Sequence, residues 1–391
     1  MEFSQIAQAL GIDTYPSLLN EIYAAGNYPD PCNRALLEDL ETRYGIFGQY
    51  YGAVLQAMDA LPRDKYRYAW AQVASAYVAA TPVVLASKLP MPATDGTVVG
   101  DLLPMLILLT QIPQSEVIYR SKGFSQEQIQ AFMDAYAKGI AIVERSLGRP
   151  AVNQLYYWWL CLYAKAAIFR CGDFQFELRQ LPDTAIYLQK GEKPVAVMTA
   201  GSYHRSGQAL GSAGCTDQAG AFTTSLRETE DAWYGHPATG RGVAAEEHCF
   251  PKDQWTCVLK PGDTVLSMHI SRGACLTPEA VDAAIIQARQ IAARSYPEWT
   301  SRGIYCSSWL LDPVLTDILG AGGNIHRFAE RFACYPILSG GRAGLGYVFP
   351  GYKGPEEDLP ENTRLQKGLK THFLDGGQLY GCSGAMIIQE G

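Results

Sequence analysis

The chain has 391 residues, 48% of them hydrophobic and 18% charged, so it has ample apolar material and is too long for a single typical core. This composition excludes disorder of the whole chain. A formal net charge of −7 argues against non-specific binding to nucleic acid or to an acidic membrane, because both require a basic face. A small anionic ligand needs only a few backbone amides and one or two cations.

The amino terminus and the cysteines indicate the compartment. The first residues, MEFSQIAQALGID, contain neither a basic segment nor an apolar run, so we expect no signal peptide. Two apolar stretches, Asp101–Pro113 and Asn153–Phe169, are interpreted as buried helices, because the first is short and contains Pro104 and the second carries Lys165. The ten cysteines form no CxxC pair, which is typical of free thiols. We expect a cytoplasmic protein with no membrane span.

Residues 1–170 have the hydrophobic spacing of helices. The clearest helix begins at Ser125, whose capping box is completed by Gln128, and it ends at Gly148. Two further helices are predicted at Asn33–Gly45 and Tyr66–Ala80. A proline-containing loop is predicted at Pro82–Gly100. The first part of the chain is therefore predicted to be a helical domain.

Beyond Arg170 the pattern changes to the alternation of β-strands. Strands are predicted at Asp173–Leu181, Ala185–Leu188, Val195–Thr199, Phe222–Glu228, Trp255–Leu259, Thr264–Ile270, Gly303–Leu311 and near Gln378–Ile388. A helix follows Thr264–Ile270, with Thr277 as N-cap and Pro278 in its first position. Shorter helices are expected near Pro313–Leu319 and Ile325–Cys334 and from about Asn362, and Ser202–Gly220 is expected to be a mobile loop. The fold class is α+β, with a helical domain at 1–170 and a mixed β-sheet domain flanked by helices at 171–391.

Several sequence segments in the second domain are distinctive in combination. They are WTCVLKPGDTVLSMHI at 255–270, CSSWLLDPVL at 306–315 and GNIHRF at 323–328, with FRCGDFQFEL at 169–178 and YGHPATGRG at 234–242 upstream. Together they resemble the GNAT-like carboxyl-terminal domain of bacterial N-acyltransferases over about residues 165–335. The helical part is similar to the amino-terminal domain that accompanies it. The resemblance implies a GNAT-like sheet and acyl transfer from an acyl-thioester donor, acyl-coenzyme A, to a small-molecule amine.

The resemblance also implies where the donor binds. In a GNAT-like fold the pyrophosphate rests on backbone amides between a central strand and the next helix, an arrangement that Thr264–Ile270, the following loop and the capped helix supply. The residues expected to bind coenzyme A are Arg272, Gly273, Ala274, Thr277 and Asn324. The loop Arg272-Gly273-Ala274-Cys275 has a single glycine and a different spacing from the usual pattern of that fold, Gln/Arg-x-x-Gly-x-Gly/Ala. An alternative is therefore a catalytically silent module that keeps the fold and binds a ligand.

Amide formation requires a base and a neutral amine. His269, at the end of the central predicted strand, is the first candidate base, and a hydrogen-bonded core histidine is the alternative. His236 follows the acidic residue Glu230 in a segment read as a loop, and this pair could bind an amine or form a shaped turn with solvated charges.

Cys306 could form a covalent acyl intermediate. It could also be the nucleophile of a cysteine hydrolase, which is a third possible function beside the acyltransferase and the silent module. The alternative is a buried strand cysteine without a chemical role. Asn324 could equally be a helix cap. No metal site is predicted, because the closest cluster, His248-Cys249 with Cys257, fits no zinc motif.

Overall fold

In the computed structural model, which describes residues 2–388, the chain divides into two units between Phe169 and Arg170. Among the described residues the first strand begins at Ile168, so the first unit is helical and the sheets belong to the second. The α+β class and the change of structure near residue 170 are therefore confirmed.

The described part of the first unit, residues 2–169, contains ten α-helices. In chain order they are α1 (Phe3–Ala9), α2 (Leu18–Ala25), α3 (Arg34–Tyr44), α4 (Tyr51–Ala60), α5 (Lys65–Ala80), α6 (Val83–Ala86), α7 (Val98–Leu109), α8 (Ile112–Ser121), α9 (Gln126–Leu147) and α10 (Gln154–Ala164). The predicted capping box is present: the Ser125 hydroxyl accepts from the Gln128 amide, and the Gln128 side chain accepts from the Ser125 amide. Gly148 ends α9 with a φ of +72°, a conformation that glycine adopts without strain. The loop predicted at Pro82–Gly100 is shorter than expected, because it contains α6 and the start of α7.

Helix α7 forms the centre of the first unit. All of its residues from Val99 to Leu109 are buried, and the one carboxylate among them, Asp101, pairs with Arg149. By length and composition the run Val98–Ser121 could cross a membrane, but 78% of its most apolar window is buried inside the protein. A buried core helix passes the same test of length and composition.

The second unit is built on two main sheets. Its strands are β1 (Ile168–Cys171, which begins in the first unit), β2 (Phe174–Gln180), β3 (Ala185–Gln189), β4 (Pro194–Met198), β5 (Ala200–Tyr203), β6 (Phe222–Ser225), β7 (Arg227–Glu228), β8 (Ala232–Thr239), β9 (Gly242–Val243), β10 (His248–Pro251), β11 (Thr256–Leu259), β12 (Thr264–Ile270), β13 (Gly303–Ser308), β14 (Ala333–Pro336) and β15 (Cys382–Ile387). The six-stranded sheet has the order β1-β2-β12-β13-β15-β14, and the second has β10-β8-β4-β3-β11 at its centre. The mixed sheet arises because β12 is parallel to β13 and antiparallel to β2.

Five helices accompany these sheets. They are α11 (Pro278–Ser295), α12 (Val314–Leu319), α13 (Asn324–Ala329), α14 (Leu345–Val348) and α15 (Arg364–Leu374). Helix α11 is the crossover between the parallel strands β12 and β13, a connection that antiparallel neighbours do not need. Its start agrees with the prediction, because the Thr277 hydroxyl accepts from the Ala280 amide and Pro278 takes the first helical position.

Side-chain alternation assigns two faces to the six-stranded sheet. Val265 and Tyr305 belong to a buried cluster that also contains Tyr187, Ala196 and other residues of the second sheet. Successive side chains of a strand point to opposite faces, so every second residue counted from Val265 or Tyr305 shares the face that meets the second sheet. We call this the inner face.

Other local predictions differ from the structure, among them the strand predicted at Gly303–Leu311, which ends at Ser308. The loop 202–220 is held by hydrogen bonds, among them Ala213 N to Ser339 O and Ser339 N to Ser212 Oγ, so its glycines permit tight turns rather than free motion. The helix predicted at Ile325–Cys334 ends at Ala329, because Cys334 belongs to strand β14 and pairs there with Gly384 of β15. The segment with His236 is strand β8 rather than a loop.

Candidate functional site

The central feature of the site is a split in the six-stranded sheet. Strands β12 and β13 pair at three positions, the last of which joins Ser267 to Tyr305, although both strands continue for three more residues. Over those residues β12 stays paired with β2, and β13 stays paired with β15. The backbone edges that face each other across the split are therefore not joined by a ladder, so their N–H and C=O groups lack partners from the opposite strand.

His269 lies beside the split on the inner face, two residues after Ser267. Its Nε2 is 3.0 Å from Oε2 of Glu177, a carboxylate of β2 whose side chain is only 10% exposed. A carboxylate accepts, so Nε2 carries the proton in the neutral ring and Nδ1 is the basic nitrogen. The His269 side chain is 22% exposed. A histidine held in one tautomer by a buried carboxylate is the arrangement that a general base requires.

The loop that follows β12 leads to the amino terminus of α11. Arg272 is exposed and makes no ion pair among the described residues, and Gly273 has a φ of +78°. Ala274 N donates to the Ser271 carbonyl, and Thr277 caps the helix. These four predicted coenzyme A ligands are therefore adjacent, at the positive end of an 18-residue helix.

One carboxylate already contacts this loop. Asp173, in the turn between β1 and β2, accepts a hydrogen bond from the Cys275 amide through Oδ2 at 3.0 Å, and its carbonyl accepts from Ser271 N. Sequence analysis missed this contact because Asp173 is about a hundred residues away along the chain. A bound anion would share the loop with this negative charge.

Within residues 2–388, Asn324 makes no hydrogen bond or ion pair with the loop after β12. It is the first residue of α13 and is exposed, and the cap is Gly323, so the expected capping role is also absent. The neighbour of α11 is instead Arg331, beyond the other end of α13, which binds Asp282 and the Pro278 carbonyl.

Cys306 lies on the face opposite to His269. Ile304 and Cys306 alternate with the inner-face residue Tyr305, and the Cys306 thiol is fully buried. Burial, with a smaller effect of Cys334, raises the pKa of this thiol far above its usual value. A protonated thiol without access to His269 is a poor nucleophile, so the geometry favours the buried strand cysteine over the covalent mechanism.

His236 and Glu230 are separated along one strand. His236 is buried in β8, where Nδ1 is 3.1 Å from the Ala244 carbonyl, whereas Glu230 is exposed in the turn before Ala232. Four residues of strand between Ala232 and His236 span about 13 Å, so the two side chains do not form one site. The structure supports a hydrogen-bonded strand histidine at this position.

Two polar groups were not singled out from sequence. Glu177 was hidden in an alternating strand. The register of β2 against β12 pairs Glu177 with Ser267, two residues before His269 on the same face, and from there its carboxylate reaches the His269 ring. Asp312 is buried and accepts from the amides of Val314 and Tyr380 at 3.0 and 2.7 Å. Burial raises the pKa of Asp312, an effect that those two hydrogen bonds oppose. The two hydrogen bonds connect Asp312 to the first residue of α12 and to the segment before β15.

The described residues contain no group of three or more His, Cys, Asp or Glu side chains that could hold a metal ion.

A sheet that splits between two parallel strands, with a helix amino terminus after the first of them, defines the class of GNAT-like folds. The GNAT-like C-terminal domain family matches this chain over residues 168–386, which is more than half of its length, and the chain belongs to that family. The resemblance stated from sequence is thus confirmed.

Solved structures with the same overall fold are acyltransferases. One, in complex with decanoyl-CoA and teicoplanin, has a TM-score of 0.65 and 16% identity, and the alignment covers 100% of both chains. A mutant acyltransferase in complex with octanoyl-CoA has a TM-score of 0.66, 16% identity and the same coverage. An acyltransferase in complex with CoA and 10C-teicoplanin has a TM-score of 0.65 at 17% identity over 100% of both chains. A comparison with curated protein sequences gave no match. At these identities the likeness concerns the fold.

Proposed function

We propose that this protein is an acyltransferase that moves an acyl group from acyl-coenzyme A to an amine by direct attack of the amine on the thioester. The observation that carries the proposal is the His269–Glu177 pair, which lies at the end of β12 beside the split from β13. Family membership and the acyl-CoA complexes of structurally similar acyltransferases support it.

The donor would bind along the split. Coenzyme A has an arm with two amide groups, which can hydrogen-bond to strand edges that lack a ladder partner. Its phosphates would then reach the amino terminus of α11, where the helix dipole and Arg272 favour negative charge. Gly273 has no side chain and Ala274 has only a methyl group, so a ligand can approach the backbone closely at both residues.

The chemistry assigned to His269 is removal of a proton from the amine. The amine nitrogen attacks the thioester carbonyl carbon, the carbon–sulfur bond breaks, and its electron pair leaves with coenzyme A as a thiolate. His269 takes the nitrogen's proton through Nδ1, and the Glu177 carboxylate stabilises the imidazolium that forms. This assignment includes neither a metal nor a covalent intermediate.

The acceptor proposed is a small-molecule amine. Two of the structurally similar acyltransferases were crystallised with teicoplanin or its 10C derivative. Acyl-coenzyme A and the free thiols suit a cytoplasmic reaction, which we include in the proposal.

One observation favours a silent ligand-binding module as the second candidate. The Asp173 carboxylate occupies the Cys275 amide, where a phosphate would otherwise find a donor. Such a module would bind a ligand at the split without turnover.

A two-part experiment separates these candidates. The purified full chain is titrated by calorimetry with coenzyme A, octanoyl-CoA and decanoyl-CoA, and release of free coenzyme A thiol is then followed with a panel of primary amines. Binding with amine-dependent thiol release supports the acyltransferase. Binding without release with any amine supports the silent module, and no binding contradicts both.

A further inference from the structure

Two serine side chains lie on the other side of the split from His269. The last paired position of β12 and β13 joins Ser267 to Tyr305, so continuing the same register by two residues brings His269 opposite Ser307. Ser307 alternates with Cys306 and therefore shares the inner face with Tyr305. His269 and Ser307 thus face the same space from opposite edges of the split.

The second serine orients the first. Ser383 of β15 pairs with Ser307 in the ladder, is 1% exposed, and donates a hydrogen bond from its hydroxyl to the Ser307 hydroxyl at 2.9 Å. Ser307 itself is exposed. A hydroxyl that accepts a hydrogen bond keeps its own hydrogen for another partner and becomes a stronger donor, because linked hydrogen bonds polarise one another. Among residues 2–388 the Ser307 hydroxyl has no second hydrogen-bond partner.

We infer that Ser307 is a further catalytic residue, which donates a hydrogen bond to the coenzyme A sulfur as the thiolate leaves. The inference rests on the proposed function. When the amine nitrogen has bonded to the carbonyl carbon, the carbon–sulfur bond breaks and both electrons pass to sulfur. The Ser307 hydrogen stays on its oxygen and stabilises the negative charge, while the proton from nitrogen goes to His269. The thiolate is later protonated by solvent.

The test compares two donors that differ in their leaving group. Ser307→Ala is assayed with decanoyl-CoA and with the decanoyl thioester of 4-nitrothiophenol, which is a much more acidic thiol than coenzyme A. The acceptor is an amine that the wild-type protein acylates, and the uncatalysed rate is subtracted from each measured rate. With decanoyl-CoA we expect kcat to fall about 10- to 100-fold, as for loss of a hydrogen bond to a charged group, with an unchanged Kd for coenzyme A. With the aromatic thioester, whose thiolate needs little stabilisation, the loss should shrink to less than about 3-fold.

Two variants act as controls. Ser225→Ala makes the same chemical change at the exposed last residue of strand β6 and should leave both rates unchanged. Ser383→Ala should give a smaller, few-fold loss that also depends on the leaving group. An equal loss with both donors, or full activity of Ser307→Ala, would overturn the inference while leaving the proposed function intact. An acyl group found on Ser307 by intact-protein mass spectrometry would also overturn it. Wild-type protein that transfers nothing to any amine would contradict the proposed function itself, and the inference with it.

Discussion

The His269–Glu177 pair allows a quantitative test of the base. Glu177→Gln keeps an oxygen that can accept from Nε2 and nearly the same volume, but it removes the negative charge 3.0 Å from the ring. The Glu177 side chain is 10% exposed, so water screens this charge poorly. A hydrogen bond to a charged group contributes about 1.5–3 kcal/mol, and each 1.36 kcal/mol is a factor of ten, so kcat should fall about 10- to 150-fold.

The partner variant and the double variant complete a cycle. His269→Gln cannot accept a proton at this position, and its rate should fall by about 10²–10⁴-fold, the usual contribution of a positioned base. Once His269 is gone, the charge of Glu177 has no imidazolium to stabilise. The double variant should therefore be no more than about 3-fold slower than His269→Gln, a strongly non-additive result.

The assay is single-turnover acyl transfer at one fixed pH, with melting temperatures measured on the same preparations. Glu192→Gln, in the exposed turn between β3 and β4, is the matched control and should change neither rate nor melting temperature. Additive losses in the double variant, or variants that keep their turnover but melt much earlier, would refute the base and favour a core histidine.

Further variants test the rest of the second unit and the capping of the first. Arg272→Ala should weaken coenzyme A binding by about 1.5–3 kcal/mol in calorimetry, and unchanged binding would remove the loop after β12 from the donor site. Cys306→Ala should keep its transfer rate within about 3-fold while losing ~1–2 kcal/mol in urea unfolding, whereas abolished transfer in a folded variant would restore the nucleophile. Asp312→Ala leaves two backbone amides without their acceptor and should cost about 2–4 kcal/mol of unfolding free energy, so a neutral effect would contradict its anchoring role. Ser125→Ala removes the cap of α9 and should cost ~1 kcal/mol, which a thermal melt that resolves the first unit can measure; no change would mean that the cap is redundant.

The sequence determined the features that depend on neighbours along the chain. The bounds of β12 and the cap at Thr277 were predicted correctly, because strand alternation and helix capping involve residues within a few positions of one another. The change from helical to strand spacing near residue 170 was visible for the same reason. The motifs also carried the family resemblance. One motif residue, Asp312, accepts hydrogen bonds from the amides of Val314 and Tyr380.

Tertiary structure decided which of the candidate side chains meet. Glu177 reaches His269 because β2 and β12 pair antiparallel in one register, and a shift of one residue would have turned one of them to the other face. The same alternation buries Cys306 on the face away from His269. A strand also extends by about 3.3 Å per residue, which separates His236 from the acidic residue Glu230 that is only six positions away. Capping and alternation involve residues that are close along the chain, so a local pattern predicts them. Pairing between strands joins residues that are far apart along the chain, and no local pattern predicts which of them meet.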